Sequence, residues 1–397
     1  MGKLAVFGGK SIRDTYLPYG RQFIDEDDIH AVVQTLQSDF LTCGPKVKEF
    51  EQALCSLTGA NFATAVSNGT GALHVACLAA GIRSGDEVIT TPITFAATAN
   101  AILYCGGTPV FADIDPKTYT IDPHSIEGHI TEKTKAIIAV DFTGQACAYD
   151  PILEICHKYN LLLIEDAAHS IGTMYRGRPV GQIADLTTFS FHPVKTLTAG
   201  EGGAVLAQDP ELAKRMELFA RHGITRNPQL LQEQANSNWY YEQKLLGYNY
   251  RMTDIQCALA IRQMEKLDRF AARRKQLVGQ YNQMLHEIPE VILQEENDGS
   301  DSVRHLYILR LDFRNLSCGR KEIYDALQAE NIGVNVHYIP VYFFPYYQQL
   351  GYQRGICPNA EDYYETSMTL PLFYSMTDQD QQDVVDAVKK VVGYYRR

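Results

Sequence analysis

Short apolar runs alternate with helix-length segments over the first half of the chain. Apolar residues recur at helical spacing after Asp25, and Asp28, three residues further on, completes an acid-rich helix start. A second helix follows, with Val47 and Leu54 among its apolar positions. Runs of β-branched and aliphatic residues then predict strands at 62–66, 87–90, 109–112, 135–141 and 161–165. This alternation predicts an α/β fold with a mostly parallel sheet.

The pattern changes along the second half of the chain. Two more strands, 186–191 and 203–207, enclose a glycine-rich turn, and a long helical stretch begins after Pro210 and includes residues 253–286. Smaller elements follow Pro289: a strand at 305–311, a helix at 321–330, a strand at 334–338 and a C-terminal helix. We therefore predict an N-terminal arm (1–20), a large α/β domain (21–250), a connecting helix (251–288) and a small α+β domain (289–397).

Composition and charge exclude several classes of function. The 397 residues are 45% hydrophobic and 21% charged, which is typical of a globular protein of two or three domains. A net charge of −11 repels nucleic acid and anionic membranes, so neither is an expected partner. Nine cysteines without a C-x-x-C spacing indicate reduced thiols, and nothing in the pattern calls for a metal. No apolar stretch reaches the length of a membrane span, so we expect a cytoplasmic protein.

Two motifs follow predicted strands. The segment 67–73, which contains Gly69, Thr70 and Gly71, lies between a strand and a helix, where free N–H groups and the helix dipole favour a phosphate. Steric demands of a tight turn would explain the same glycines equally well. Asp166 and His169 come directly after the apolar strand 161–165, at the sheet edge where α/β proteins bind ligands. A helix cap at Asp166 and a surface histidine are the alternatives.

A third motif contains a lysine in apolar surroundings. Lys195 follows the strand 186–191, among small and apolar residues, and precedes the glycines at 200, 202 and 203. Loss of solvation lowers the pKa of an amine in such surroundings, which suits Schiff-base chemistry. A phosphate-binding turn, a carboxylate at a strand end and this lysine are together what pyridoxal 5′-phosphate requires.

With these motifs, the chain resembles the DegT/DnrJ/EryC1/StrS sugar aminotransferases. The resemblance spans nearly the whole length, from 18–22 through 247–256 to 336–340. It implies the type I, aspartate aminotransferase-like fold of pyridoxal phosphate-dependent transferases, with a large mixed, mostly parallel sheet domain and a small α+β domain. Segments 91–100, 190–192 and 346–350 are most similar to the members that act in pseudaminic acid biosynthesis.

The resemblance assigns roles to the residues around the cofactor. Lys195 would bind it covalently and then move the proton between cofactor and sugar, and Asp166 would pair with the pyridine nitrogen. His169 would lie beside the ring hydroxyl, and Phe95 would stack on the ring. The phosphate ligands would be Gly69, Thr70, Gly71 and Ser190. Asn249, with Arg251 nearby, would reach the phosphate of the neighbouring subunit, which implies a homodimer with shared active sites.

The substrate side of the resemblance is a nucleotide sugar. It implies contacts from Tyr19, Asp39, Phe40, Leu41, Thr42, Val336, His337, Tyr338 and Ile339, although such apolar and aromatic residues are also common in protein cores. The expected reaction uses L-glutamate to convert a UDP-4-keto-6-deoxy-N-acetylhexosamine (L-arabino) to UDP-4-amino-4,6-dideoxy-N-acetyl-β-L-altrosamine. Transamination of a UDP-bacillosamine precursor or a dTDP-keto-hexose is the alternative. A sugar dehydratase fits Lys195 poorly, and a non-catalytic regulator fits poorly with the complete set of motifs.

Overall fold

The structure is a computed structural model that describes residues 3–233 and 237–397. Its helices are α1 (Glu26–Leu36), α2 (Pro45–Thr58), α3 (Gly69–Ala79), α4 (Ala97–Tyr104), α5 (Pro123–Glu127), α6 (Tyr149–Tyr159), α7 (Pro210–Ala220), α8 (Asp254–Met264), α9 (Leu267–Leu285), α10 (Arg320–Ala329), α11 (Pro345–Gln349), α12 (Pro358–Thr366) and α13 (Asp378–Tyr395). Its strands are β1 (Phe62–Val66), β2 (Glu87–Thr90), β3 (Thr108–Phe111), β4 (Thr134–Val140), β5 (Leu162–Asp166), β6 (Met174–Tyr175), β7 (Arg178–Pro179), β8 (Leu186–Ser190), β9 (Gly203–Ala207), β10 (Ile224–Thr225), β11 (Glu242–Gln243), β12 (Val291–Ile292), β13 (Ser300–Asp301), β14 (Tyr307–Leu311) and β15 (Ser367–Leu370).

A seven-stranded sheet forms the large domain, with strand order β1-β9-β8-β5-β4-β2-β3. The strands from β8 to β3 are parallel, and β9 runs antiparallel to both of its neighbours. Gly203 of β9 lies opposite Val66 of β1 and Ser190 of β8, so the ends of β1 and β8 are at the same level. Asp166 ends β5, which is the neighbour of β8. This register therefore brings the ends of β1, β5 and β8 to one edge of the sheet.

Helices cover both faces of this sheet, as the predicted α/β fold requires. Successive residues of β4 illustrate the two layers, because Ile137 packs with α2, α6 and α8 and Ile138 packs with α3, α4 and α7. The helix predicted from Asp25 is α1, and Asp25 and Asp28 form its capping box. Strands β1, β2 and β9 have the predicted bounds, and β3, β4, β5 and β8 differ from theirs by one residue.

The small domain is built on the antiparallel sheet β12-β14-β15, with α10 and α13 packed against it. The first residues of the chain also belong to this core. Leu4 and Leu17 are buried in it, and the Ala5 and Ile12 N–H groups donate to the Glu330 carboxylate at 3.0 and 2.9 Å. Residues 3–17 of the predicted N-terminal arm therefore pack along the small domain.

The predicted connecting helix over 251–288 is two helices in the structure. They are separated at Glu265 and Lys266, where the Lys266 ammonium forms a buried ion pair with Asp28 (2.7 Å). Helix α8 packs against α1 and α2. Helix α9 connects the two cores, because Phe270 near its start packs in the large core and Tyr281 near its end packs in the small core.

Two other predictions differ from the structure. The helical stretch expected after Pro210 is interrupted, because most of 221–253, between α7 and α8, lacks regular structure in the described part. The strand predicted at 334–338 is irregular, because only Asn335 exchanges backbone hydrogen bonds with Thr369 before the chain turns into a cavity. Strand β15, which was not predicted, lies between β14 and Asn335. Within 3–233 and 237–397, no helix has the length and apolarity needed to cross a bilayer.

Candidate active site

A cavity of about 960 Å³ lies at the carboxyl ends of β5 and β8. The turn before α3, the start of α4 and the residues after β8 form one wall, and segment 335–339 of the small domain forms the opposite wall. Most of the candidate residues from the sequence line this cavity: Tyr19, Gly69, Thr70, Gly71, Phe95, Asp166, His169, Ser190, Lys195, Val336, His337, Tyr338 and Ile339. The register of the sheet thus gathers segments that are far apart in the chain.

Lys195 lies on the turn that follows β8. Its N–H donates to the His192 carbonyl (2.9 Å), which fixes the turn and points the residue into the cavity. Desolvation lowers the pKa of the Lys195 amine from 10.5 to about 8, and the nearby negative charge of Asp166 opposes the shift. A substantial fraction of the amine is therefore neutral, and able to act as a nucleophile, slightly above neutral pH.

Asp166 is the buried carboxylate of the site. Its Oδ2 accepts a hydrogen bond from Thr98 Oγ1 (2.7 Å), and its Oδ1 accepts one from the Ala168 N–H (3.2 Å). Burial raises the pKa of Asp166, and these two donors and Lys195 oppose that shift. Thr98 was not among the predicted residues. Its signal in the sequence was its place in the first turn of a helix after a predicted strand, three residues after Phe95.

The amino terminus of α3 forms the anion-binding part of the cavity. The Asn68 side chain caps the helix by accepting from the Gly71 N–H (2.8 Å), and the other first-turn N–H groups have no partner within the helix. A Cβ on Gly69 would lie 2.8 Å from the Ser190 Cβ, so only glycine permits this close approach. The helix end, the small residue and the Ser190 hydroxyl together suit a phosphate group.

Three buried histidines, His169, His305 and His337, line the cavity together with Lys195. His169 Nε2 lies 3.3 Å from the Tyr338 hydroxyl, and His337 Nδ1 lies 2.7 Å from the Thr369 hydroxyl. The third, His305, was missed by sequence reasoning because it is the first residue of the strand predicted at 305–311; its ring centroid lies 4.6 Å from that of His169.

Burial, followed by the positive charge of Lys195, lowers the pKa of all three imidazoles, that of His337 to about 4. The histidines are therefore neutral near pH 7, and they can donate or accept hydrogen bonds without adding positive charge.

Aromatic side chains form the mouth of the cavity. Phe95 is 62% exposed there, with its ring centroid 6.2 Å from that of Tyr338. The Tyr19 ring lies 5.3 Å from the His337 ring. An exposed aromatic ring at a cavity mouth is suited to stacking on a flat ligand.

Six candidate residues lie outside the cavity lining. They are Asp39, Phe40, Leu41, Thr42, Asn249 and Arg251. Thr42 pairs with Thr253, and Asn249 pairs with Arg221, while Tyr250 between Asn249 and Arg251 lines the cavity. Asn249 and Arg251 are exposed, so within one chain they face solvent. Lining residues that the sequence reasoning did not single out include Asn68, Thr94, Thr98, Tyr104, Glu201, Tyr250, His305 and Asn335.

Several known proteins are similar to this chain in sequence and in structure. Residues 22–389 match the DegT/DnrJ/EryC1/StrS aminotransferase family. The spore coat polysaccharide biosynthesis protein SpsC of Bacillus subtilis is 42% identical, over 96% of this chain and 98% of its own. A UDP-4-amino-4,6-dideoxy-N-acetyl-β-L-altrosamine transaminase of Campylobacter jejuni is 37% identical, over 95% of this chain and 97% of its own.

Solved structures agree with the sequence relatives. Helicobacter pylori PseC, an aminotransferase involved in the biosynthesis of pseudaminic acid, superposes with a TM-score of 0.88 at 32% identity, over 96% of this chain and 100% of its own. The PLP form of the sugar aminotransferase Spr1654 of Streptococcus pneumoniae superposes with a TM-score of 0.87 at 30% identity, over 96% of this chain and 99% of its own. The expected fold, an α/β aminotransferase fold with a mixed, mostly parallel sheet, is confirmed. The chain belongs to the DegT/DnrJ/EryC1/StrS aminotransferase family, and it is an aminotransferase.

Proposed function

We propose that the enzyme uses pyridoxal 5′-phosphate and L-glutamate to aminate a UDP-linked 4-keto-6-deoxy-N-acetylhexosamine of L-arabino configuration. The product would be UDP-4-amino-4,6-dideoxy-N-acetyl-β-L-altrosamine. The observation that carries the proposal is the Lys195 amine, with a pKa of about 8, in one cavity with the buried Asp166 carboxylate and the amino terminus of α3. The similarity to the C. jejuni transaminase and to PseC supports the substrate.

The residues of the cavity fit the cofactor. A phosphate matches the first turn of α3 and the space that Gly69 leaves beside Ser190. A ring nitrogen that carries a proton matches Asp166, and a ring hydroxyl matches His169, whose Nδ1 is buried without a hydrogen-bond partner. When bound, this cofactor withdraws electrons and so stabilises negative charge on the carbon that loses a proton.

The side chains divide the chemistry between them. Lys195 Nζ, with its lowered pKa, can accept a proton from a substrate carbon, and it would pass that proton to the bound cofactor. Asp166 supplies a fixed negative charge, which Thr98 and the Ala168 N–H hold in place. The neutral imidazoles of His169, His305 and His337 do not compete with Lys195 for that charge.

The charge of the cavity supports a shared site in a homodimer. Among the described residues that line the cavity, Lys195 is the only lysine, and there is no arginine. A UDP group and glutamate both carry negative charges that a single amine does not balance. Arg251 and Asn249, exposed beside the inward-facing Tyr250, could complete the cavity of a neighbouring copy.

Helix α1 offers a contact surface for that copy. Ile29, Val33 and Leu36 recur along one exposed side of the helix, and Phe40 and Leu41 continue the apolar surface. We infer that these residues pack against a second chain.

Mixed dimers test the shared site. Lys195→Ala and Asn249→Ala chains, each inactive in its own homodimer, should regain about a quarter of wild-type activity when unfolded and refolded together, because half of the dimers then contain one intact site. Chains with both substitutions, mixed with wild type, are the control. No recovery, or a fully active monomer in sedimentation, would contradict shared sites.

A panel of nucleotide keto-sugars tests the substrate. We expect the UDP-linked L-arabino 4-ketone to be aminated, with formation of one 2-oxoglutarate per amino sugar, identified by mass and NMR. Faster turnover of a dTDP-linked ketone would keep the reaction class and overturn the proposed substrate.

A different nucleotide keto-sugar is the second candidate. The similarity to SpsC supports this candidate, because this polysaccharide biosynthesis protein is 42% identical to the chain, whereas the altrosamine transaminase is 37% identical. The same panel, extended with a UDP-bacillosamine precursor, separates the two candidates.

A further inference from the structure

A buried arginine lies where the connecting helix passes from one domain to the other. Arg274 is on α9, between Phe270 in the large core and Tyr281 in the small core, and it is 3% exposed. Burial lowers the pKa of its guanidinium to about 10, so the group keeps its positive charge near pH 7. Among the described residues it pairs with no carboxylate, and its Nε has no hydrogen-bond partner. A buried charge without a counter-ion costs folding free energy, so stability alone does not explain this residue.

Three backbone carbonyls accept hydrogen bonds from the Arg274 guanidinium. Nη1 donates to the carbonyls of Arg304 and His305, both at 3.3 Å, and to the carbonyl of Leu372 at 3.2 Å. The first two carbonyls precede β14, and the third follows β15. The guanidinium thus attaches two separate segments of the small domain to the helix that connects the domains.

Both segments lead to residues that line the cavity. His305 is a lining residue, and its N–H donates to the Thr143 carbonyl of the large domain (2.7 Å), so its two backbone groups are held from opposite sides. The Leu372 N–H donates to the carbonyl of Tyr19 (3.0 Å), another lining residue. Arg274 therefore contacts the cavity wall from behind, although it is not part of the lining itself.

The imidazole of His305 packs against a residue of the proposed cofactor site. Its ring centroid lies 4.6 Å from that of His169, and among the described residues the Nδ1 atoms of both rings are buried without a hydrogen-bond partner. A shift of the His305 backbone would therefore move one imidazole against the other. Since His169 is proposed to lie beside the ring hydroxyl of the cofactor, such a shift would reach the reaction centre.

We propose that Arg274 is a positioning residue of the active site, which fixes His305 and Tyr19 relative to each other from behind the cavity wall. The inference rests on the proposed function. The guanidinium contacts neither cofactor nor substrate, and it acts through the carbonyls of His305 and Leu372. Its loss would leave the two segments without a common donor, although each keeps its other hydrogen bond. A displacement of about 1 Å in positioned groups can lower a rate about 100-fold.

Neighbouring arginines on α9 provide matched variants of the holoenzyme. Arg273 also donates to a carbonyl, that of Met376 (2.6 Å), and it pairs with Asp378 (2.9 Å), but none of these three residues lines the cavity. Arg274→Met should lower kcat/KM for the nucleotide sugar about 10- to 100-fold and shift the absorption of bound pyridoxal phosphate. Arg274→Lys keeps a charged donor and should recover part of that loss. Arg273→Met should lower only the melting temperature.

Two results would overturn the positioning role. One is an Arg274→Met enzyme with wild-type kinetics and absorption. The other is an equal kinetic loss in Arg273→Met, because general damage to α9 would then explain the effect.

A double-mutant cycle tests the route through His305. In a His305→Ala background, Arg274→Met should lower kcat by no more than about twofold, because the residue through which it acts is already lost. The rise in the KM for the nucleotide sugar should remain, since Tyr19 is reached through Leu372. Additive losses in kcat, or a His305→Ala enzyme with unchanged kcat, would contradict the proposed route.

The same measurements separate the possible failures. If Arg274→Met does not fold, Arg274→Gln, which keeps a neutral donor, replaces it in both tests. If neither variant folds, Arg274 acts in stability and the positioning role is wrong. A wild-type protein that neither binds pyridoxal phosphate nor aminates a keto-sugar of the panel would instead refute the proposed function.

Discussion

The two walls of the cavity are built in different ways. On one wall, Asp166 and Ser190 end neighbouring parallel segments of a seven-stranded sheet, and Lys195 follows one turn later. On the other wall, Val336 to Ile339 form an irregular segment of the small domain, held by single contacts such as Asn335 with Thr369. The register of the sheet strands fixes the position of the first wall, whereas the position of the second wall depends on how the small domain packs. The difference suggests that the first wall carries the chemistry and the second wall carries the recognition of the sugar.

Desolvation acts on both walls, with different results. It lowers the pKa of Lys195 to about 8, where Asp166 limits the shift, and it lowers the pKa of His337 to about 4, where no carboxylate is a cause. The strand wall therefore keeps a group that changes charge near neutral pH. The small-domain wall presents an imidazole that stays neutral above about pH 5.

Removal of the lysine tests the strand wall most severely. Lys195→Ala should lower turnover by about 10³-fold or more, because the proton carrier and the covalent attachment point are both lost. Borohydride should no longer fix the cofactor to the chain, although the α3 terminus and Asp166 can still bind it. Lys214→Ala, on the exposed side of α7, is the control and should behave as wild type. Turnover that survives in Lys195→Ala would assign the chemistry to another residue.

Two adjacent carboxylates provide a sharper comparison within β5. Asp166→Asn keeps the shape and removes the charge that faces the cavity, so kcat should fall about 10²- to 10³-fold with a smaller loss of cofactor affinity. Glu165 points to the opposite side, where its Oε2 accepts from the Thr187 hydroxyl (2.7 Å) and the Gly181 N–H (3.1 Å). Glu165→Gln should therefore lower the melting temperature rather than kcat. Equal kinetic losses in both variants would show that general damage to β5 explains the effect.

The same contrast explains what the sequence could predict. Asp166, Ser190 and Lys195 lie at or just after the ends of short apolar strands, whose period and flanking glycines are local signals, and the family motifs agree with them. His305 and Thr98 reach the cavity only through the packing of other elements, which no local pattern specifies. Segment 334–338 has the composition of a strand, yet only Asn335 pairs with the neighbouring β15 before the chain turns into the cavity, so tertiary packing overrides local propensity. Asn249 and Arg251 face solvent in one chain, so their proposed role depends on a second copy.

The pH dependence of cofactor attachment tests the lowered pKa of Lys195 on the strand wall. Only the neutral amine attacks the cofactor, so attachment to the cofactor-free protein should accelerate about tenfold per pH unit and level off above about pH 8. Asp166→Asn removes the charge that raises the pKa of Lys195, and its plateau should begin at lower pH. Stopped-flow absorbance measures both rates. A wild-type rate that still rises steeply toward pH 10 would contradict the lowered pKa.

The smallest effects are expected on the small-domain wall. His337 packs against Tyr19, and its Nδ1 pairs with the Thr369 hydroxyl, so one ring nitrogen remains for a substrate. His337→Ala should raise the KM for the nucleotide sugar about 2- to 10-fold, the value of a lost neutral hydrogen bond, and leave the absorption of the bound cofactor unchanged. Tyr19→Phe should act in the same direction.

Thr369→Val keeps the imidazole but removes the partner of its Nδ1, so a smaller rise in KM is expected. If His337→Ala instead shifts the cofactor spectrum and lowers kcat as far as Asp166→Asn does, both walls take part in the chemistry and the proposed division between them is wrong.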